Sequence, residues 1–425
     1  MSLVIFLVTL GLTLATGVPV AFALLICAVA MGVSLDLLDP QIIAQRFIVG
    51  ANNFSLLAIP FFLLAGELMN AGGLSRRIIA FAMAFVGHLK GGLGVVAIFA
   101  AIILASLSGS AAADTAALIS ILLPMMRAAG HDEARSVGLM AAGGIIAPII
   151  PPSIAYIIFG VATNLSISQL FMAGIVPGAL MGIGALSVWM ILARREGIEP
   201  LPRQDWPARL RALKGAVWAL GLPIIILGGI RFGVVTPTEA AVIAAVYALL
   251  VGLLVYRELK LSMLFDVFRN AAYTTAVVML LAAAALTTAW FISIADLSGI
   301  VLDLVGGLVD HPRLLLLVIM SLVLVIGTMM DMGPTILILA PVLLPVVEEA
   351  GIDPIYFGVL FVINTAIGLI TPPVGIVLSV SAGVSGVSMH RVAMGALPFL
   401  AAQVFVLVLL VLFPQLVLWP LAWLQ

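Results

Sequence analysis

Four short stretches of this chain place hydroxyls, amides and carboxylates inside otherwise apolar sequence. The first is Ser106-Leu-Ser-Gly-Ser110, followed by Asp114 and Thr115. The second runs from Gly143 through Pro148, Pro151 and Pro152 to Ser153. The third is Gly327-Thr-Met-Met-Asp331, continuing to Thr335, and the fourth runs from Asn364 through Gly368 and Thr371-Pro-Pro-Val to Gly375. Glycine and proline in each stretch interrupt a helix. A broken helix exposes carbonyls at the end of one half and amides at the start of the next. Carbonyls joined by Ser, Thr and Asn oxygens can replace the water around a hard monovalent cation such as Na⁺. Amide ends, at the positive pole of a helix dipole, suit a carboxylate. Neutral oxygens also suit a site that must bind and release in every cycle.

Each of these residues has a plain structural role open to it as well. Ser and Thr bond back to their own helix carbonyls, a reading that applies to Ser120 and Thr274. Asp114 reads first as a helix cap. Asp331 stands in an apolar run where a carboxylate is expensive. It serves as a cation ligand, a proton site or a cap.

The elements that hold these stretches are membrane helices. Only 9% of the 425 residues are charged and 64% are hydrophobic, with a mean hydropathy of +1.33. That is too little charge to cover a water-facing surface of this size, so the solvent is lipid. The apolar start, residues 1–35, lacks the basic flank of a signal peptide and reads as embedded chain. It holds one tilted helix or two short ones around Gly17 and Pro19, and symmetry with residues 216–256 favours two. Cys27 is a lone thiol in an apolar run, a small hydrophobe rather than half of a disulfide. The four histidines are scattered in loop-like, solvated segments.

Charge marks the sides of the membrane. The segment 194–215 carries Arg194, Arg195, Arg203, Arg209, Arg211 and Lys214, so it reads as a cytoplasmic linker between two halves. Basic loops are also expected around Arg76, Arg77, His88 and Lys90, around Arg127 and Arg135, and around Arg257, Lys260 and Arg269. Acidic loops at Glu348–Asp353 and Asp296–Asp310 read as external. Residues 91–126 and 314–347 each begin and end among loops of one sign, which describes a hairpin that enters and leaves on the same side. Residues 136–164 and 356–384 are spans broken by their proline pairs.

The halves repeat. A constant shift of 221 carries Pro124 onto Pro345, Asp132 onto Asp353, Pro151–Pro152 onto Pro372–Pro373, Gly174 onto Gly395 and Pro177 onto Pro398. Matched prolines and glycines fix backbone geometry, unlike matched leucines. The charge signs turn the repeats opposite ways, because the loop at Arg127–Arg135 is inside and its counterpart at Glu348–Asp353 is outside. The expected fold is an all-α polytopic membrane protein of two inverted repeats, 1–193 and 216–425. Each contains scaffold helices, a re-entrant hairpin and a broken helix. No His-Glu-x-x-His, no phosphate loop and no Ser/His/Asp set is present, so neither an enzyme nor an ATP-driven pump is expected.

With these motifs the chain resembles the large membrane subunit of tripartite ATP-independent periplasmic (TRAP) transporters. The resemblance runs through Leu57-Ala-Ile-Pro-Phe-Phe, Gly72-Gly73-Leu, Ser108-Gly-Ser, Pro151-Pro-Ser-Ile, Phe171-Met-Ala-Gly-Ile-Val-Pro-Gly178, Thr236-Pro-Thr-Glu-Ala and Ile370-Thr-Pro-Pro-Val-Gly375. It implies an elevator-type transporter in a bacterial or archaeal inner membrane, coupled to Na⁺ and needing no other cofactor. The partners it implies are a periplasmic substrate-binding protein that delivers a small organic acid and a small four-helix membrane subunit on a separate chain. No nucleic acid is involved. One cation site would fall at Ser106, Ser108, Gly109 and Ser110 with Gly143, Ile146 and Pro148. The other would fall at Gly327, Thr328 and Asp331 with Asn364, Gly368 and Thr371. Substrate would meet Ser110, Asp114, Thr115, Pro152, Ser153, Thr335, Pro373 and Gly375. Ala111 and Ala112 stand where relatives often carry another hydroxyl. The competing readings are a stand-alone divalent-anion/Na⁺ symporter of the same plan, a channel and a membrane assembly scaffold.

Overall fold

Helices follow one another with short turns throughout this computed structural model, which describes residues 2–196 and 200–424. The first ten helices are α1 (Ser2–Ala15), α2 (Val20–Ser34), α3 (Pro40–Ala51), α4 (Ala58–Ala71), α5 (Leu74–Val86), α6 (Gly92–Ser108), α7 (Ala111–Ala128), α8 (Glu133–Gly144), α9 (Ile154–Thr163) and α10 (Ile167–Glu196). The second ten are α11 (Trp206–Arg231), α12 (Pro237–Leu250), α13 (Leu261–Ile294), α14 (Leu297–Val305), α15 (Pro312–Gly327), α16 (Met332–Glu349), α17 (Pro354–Gly368), α18 (Ile376–Ser385), α19 (Met389–Leu412) and α20 (Gln415–Leu424). No strand occurs among the described residues. Eight of their helices are long and apolar enough to cross a membrane. The protein is therefore a multi-pass membrane protein.

Local chemistry sets the helix ends. The start of α12 is a full capping box: Thr236 Oγ1 accepts from the Glu239 amide, and the Glu239 carboxylate accepts from the Thr236 amide. Asp132 and Asp353, matched by the 221 shift, cap α8 and α17 through Arg135 N and Tyr356 N, each at 2.8 Å. Asp205 caps α11, with Pro207 in its first turn.

Helix order repeats between the halves, and so does the packing. α7 packs on α18, and its counterpart α16 packs on α9, so the hairpin of each half lies against the broken helix of the other. α4 packs on α12 and α2 on α13 in the same exchanged manner. Helix order and most of these contacts divide the chain into two groups, which meet where α5 packs on α6 and where α13 and α14 pack on α16. α1–α5 and α11–α14 form a peripheral group, and α6–α10 with α15–α20 form a central one. α8 and α19 approach very closely: a Cβ on Gly138 would lie 2.5 Å from the Gly395 backbone. Arg127 fastens the central group by pairing with Glu133 at 2.8 Å and donating to the Ser385 carbonyl, the C-terminal end of α18, at 2.9 Å.

Several sequence expectations differ from what is found. The segment 194–215 is not one loop. α10 continues to Glu196 and α11 begins at Trp206, while residues 197–199 lie outside the described residues. Arg209 is buried in α11, against Phe85, with its guanidinium near His88 Nδ1. The basic segment around Arg76–Lys90 is mostly helix, because α5 has one apolar face to bury. The acidic segment 296–310 likewise forms α14. His131 is buried beside Trp189 rather than solvated. The start of the chain agrees with the reading that symmetry favours: Ser2–Ala15 and Val20–Ser34 are two helices, with the turn at Gly17 and Pro19.

Candidate functional site

Both hairpin tips and both helix breaks meet at one cavity of about 460 Å³. The central group contributes Gly109 to Ala112, Pro148 with Ile154, Ala155 and Ile158, Asp331 to Pro334, and Leu369 with Ile376 and Val377. The peripheral group closes it with Val20 and Ala21 of α2, Leu63 of α4, and Thr274, Val277, Val278, Leu280 and Leu281 of α13. The first turns of α7, α9, α16 and α18 are all in this lining. Four helix N-termini therefore converge, and among the described residues no Lys or Arg lines the space. Each terminus carries roughly half a positive charge from its unpaired amides.

The first tip is built by capping. α6 ends at Ser108, and Gly109 turns the chain with φ +62°, a region open to glycine. Ser110 caps α7, accepting from Ala113 N. The expected cap, Asp114, sits one turn further in and is 4% exposed. Its Oδ1 accepts from Ser108 Oγ at 2.5 Å, and that same hydroxyl oxygen accepts from Ser110 N at 3.1 Å. A Cβ on Gly109 would stand 3.1 Å from the Pro152 carbonyl and 3.5 Å from Ser153 Cα, so the tip rests on the first break. Ser153 caps α9 and donates to the Pro148 carbonyl at 2.5 Å. The Pro151–Pro152 bond is cis, as is Pro372–Pro373.

The second tip meets its own break in the same manner. Gly375 N donates to the Thr328 carbonyl at 3.3 Å. A Cβ on Gly368 would lie 2.7 Å from the Gly327 carbonyl group, so the two backbones touch. Asp331 caps α16: its Oδ1 accepts from Met332 N at 2.8 Å, and its backbone carbonyl accepts from Thr335 Oγ1. Thr371 and Thr365 bond back to their own helix, as Ser106 and Ser120 do in the other half. Asn364 is fully buried and donates to the Met320 carbonyl at 2.6 Å.

Behind the cavity lie buried oxygens with no hydrogen-bond partner: Asp114 Oδ2 and Thr115 Oγ1 at the first tip, and Asn364 Oδ1 at the second break. A Cβ on Gly144 would overlap Thr115 Oγ1, which places that hydroxyl on the first break. Unpaired buried oxygens are costly, and a bound cation is one kind of partner that satisfies such acceptors. The carbonyls of Gly143, Ile146 and Pro148 already accept within the turn, from Ile146 N, from Ile149 and Ile150 N, and from Ser153 Oγ.

Of the residues singled out from sequence, Gly109, Ser110, Pro148 and Asp331 line the cavity. Ser108, Asp114 and Thr115 stand behind the first tip. Thr328, Gly327, Gly368, Asn364 and Gly375 stand behind the second. Sequence reasoning missed the peripheral wall. Val20, Ala21 and Leu63 are apolar residues among many, and only packing selects them. Thr274 is not bonded back to its helix and faces the cavity instead.

A profile of the family "Tripartite ATP-independent periplasmic transporter, DctM component" matches residues 7–416. Over all 425 residues, and 100% of each chain, this one is 53% identical to a putative TRAP transporter large permease protein of Haemophilus influenzae. It is 52% identical, again over 100% of both, to the 2,3-diketo-L-gulonate TRAP transporter large permease protein of Escherichia coli. Its fold is similar to that of the Alcanivorax borkumensis YdaH transporter, with a TM-score of 0.68 at 15% identity over 91% of each chain. Profile, full-length identity and fold agree with the helical hairpins and paired breaks: the chain belongs to the DctM component of the tripartite ATP-independent periplasmic transporters, the large permease proteins of that family.

Proposed function

We propose that this permease carries a small organic acid across the inner membrane, driven by a Na⁺ gradient, after a periplasmic binding protein delivers it. A separate small membrane subunit completes the complex. The carrying observation is the meeting of four helix N-termini on one cavity without a basic side chain. Their partial charges sum to about +2, reduced by the Asp331 carboxylate that caps α16, and this favours a carboxylate without the tight hold of an arginine fork. The full-length relative that carries 2,3-diketo-L-gulonate in its name makes a sugar-derived acid the first substrate to try.

The two coupling ions are assigned to the unpaired oxygens behind the cavity. Ser108, Asp114 and Thr115 hold one at the first tip. Asn364, with the backbone around Gly327, Thr328 and Gly368, holds the other. Both positions abut helix starts that line the cavity, so a bound cation there favours the anion in front of it. Taken as crossings, α1, α2, α3–α4, α8–α9 and α10 give the first half five and start the second half from the opposite face. An odd count supports inverted repeats, in which the central group moves as the transport body against the peripheral scaffold.

The test is reconstitution. Proteoliposomes holding the permease and its small subunit, supplied with the binding protein, accumulate labelled 2,3-diketo-L-gulonate or a related sugar acid only under an inward Na⁺ gradient. Equal uptake in choline, or full uptake by the permease alone, contradicts the proposal.

A further inference from the structure

Helix α5 joins the peripheral group to the first hairpin, so movement between the two bodies must be taken up at one of its ends. The end beside α4 is fastened. Glu258 follows the π-helical turn Val251–Val255 and accepts from both Arg76 and Arg77 of the α5 first turn, from Arg77 at 2.5 Å. The Arg77 guanidinium lies 3.8 Å from the Tyr256 ring centroid. The Tyr256 hydroxyl in turn donates to the Gly215 carbonyl of α11 at 2.7 Å. Gly73, with φ +75°, leaves room for the Glu258 carboxylate, which a Cβ there would overlap. A Cβ on Gly72 would lie 3.1 Å from Gly252 Cα, so the two backbones are in contact. An exposed ion pair alone contributes little; here two arginines, a ring and a backbone contact act on one half-buried carboxylate.

The other end of α5 is held by different bodies on either side of a short gap. α5 packs along α11, and Arg209 of α11 reaches His88 Nδ1 at 3.4 Å. The hairpin then starts at Gly91, whose carbonyl accepts from Trp189 Nε1 of α10 at 2.8 Å. Between the last residue held by the scaffold and the first held by the central group stand only Leu89 and Lys90.

We infer that α5 is a rigid arm of the scaffold, pinned by Glu258, and that the transport body hinges at residues 89–90 while α6 slides along α5. This rests on the moving-body transport proposed above. The Gly72–Gly73 turn, despite its glycines, is not the pivot: its glycines admit the pin.

Two cysteine pairs in a Cys27→Ala chain test it, bridged by a bis-methanethiosulfonate in the reconstituted complex. Arg76→Cys with Glu258→Cys ties the arm to the scaffold. Phe81→Cys with Phe99→Cys ties the arm to α6, where the rings lie 6.2 Å apart. Bridging the first pair leaves at least about half of the unbridged variant's Na⁺-driven uptake, and bridging the second leaves less than about one tenth, restored by reduction. Loss of uptake on bridging 76 to 258, or full uptake with 81 bridged to 99, overturns the inference. Failure of the unbridged wild-type chain to transport under a Na⁺ gradient strikes the proposed function instead.

Discussion

Thr115→Val separates a cation ligand from a packing residue by the sign of its effects. The Thr115 hydroxyl is fully buried without a hydrogen-bond partner, and valine keeps its shape without the oxygen. Without Na⁺, an orphaned hydroxyl costs the folded chain about 1–3 kcal/mol, so the substitution raises Na⁺-free stability by about 1 kcal/mol. For binding the sign reverses. Losing an oxygen that contacts a charge costs about 1.5–3 kcal/mol, a roughly ten- to hundredfold weaker Na⁺ affinity. A site of about 10 mM affinity stabilises by about 1.4 kcal/mol in 100 mM Na⁺, and a tenfold loss leaves about 0.4 kcal/mol. Thermal unfolding of the purified chain in choline and in Na⁺ reads both effects. The substituted chain unfolds at a higher temperature in choline and loses most of its Na⁺ increment. A variant that is less stable in choline yet keeps the full increment refutes the assignment of the orphaned oxygen.

Gly368→Ala drives a methyl group into the Gly327 backbone, 2.7 Å away, and so parts the second tip from its break. Overpacking of this kind costs about 1–3 kcal/mol. We expect the Na⁺ concentration for half-maximal uptake to rise roughly tenfold or more, with membrane levels unchanged; Asn364→Ala, which removes the other orphaned oxygen, acts in the same direction. Unaltered Na⁺ dependence in both removes the second ion from this place. For topology, Glu349→Cys labels with a membrane-impermeant maleimide in intact cells and Gln204→Cys only after permeabilisation. The opposite pattern reverses the orientation given to the repeats.

Much of the site was legible because it depends on residues with strong local rules. The proline pairs and the 221-residue register located both breaks, and Gly109 and Gly375 carry positive φ at the turns where sequence placed them. Asp331 proved to be a cap, one of the three roles open to it, and it also lines the cavity. Asp114 departs from the expected cap because Ser110, one turn earlier, takes the cap and leaves the carboxylate to Ser108. The sequence cue was present, since Ser110 opens the helical run. The charge density of α5 and of the start of α11 points to loops and masks helix signals such as Asp205-Trp-Pro. The peripheral wall of the cavity had no cue at all: Leu63 and Val277 differ from other apolar residues only in what the fold sets opposite them.

The central claim is that ions behind the tips and an acid in front of them cross together. Influx of radiolabelled Na⁺ and of labelled acid, followed in the same proteoliposomes at zero membrane potential, tests it most directly. Coupled transport means that both enter at a fixed ratio and that each flux collapses when the other solute is omitted. Accumulation of acid against its gradient with no accompanying Na⁺ entry would contradict it.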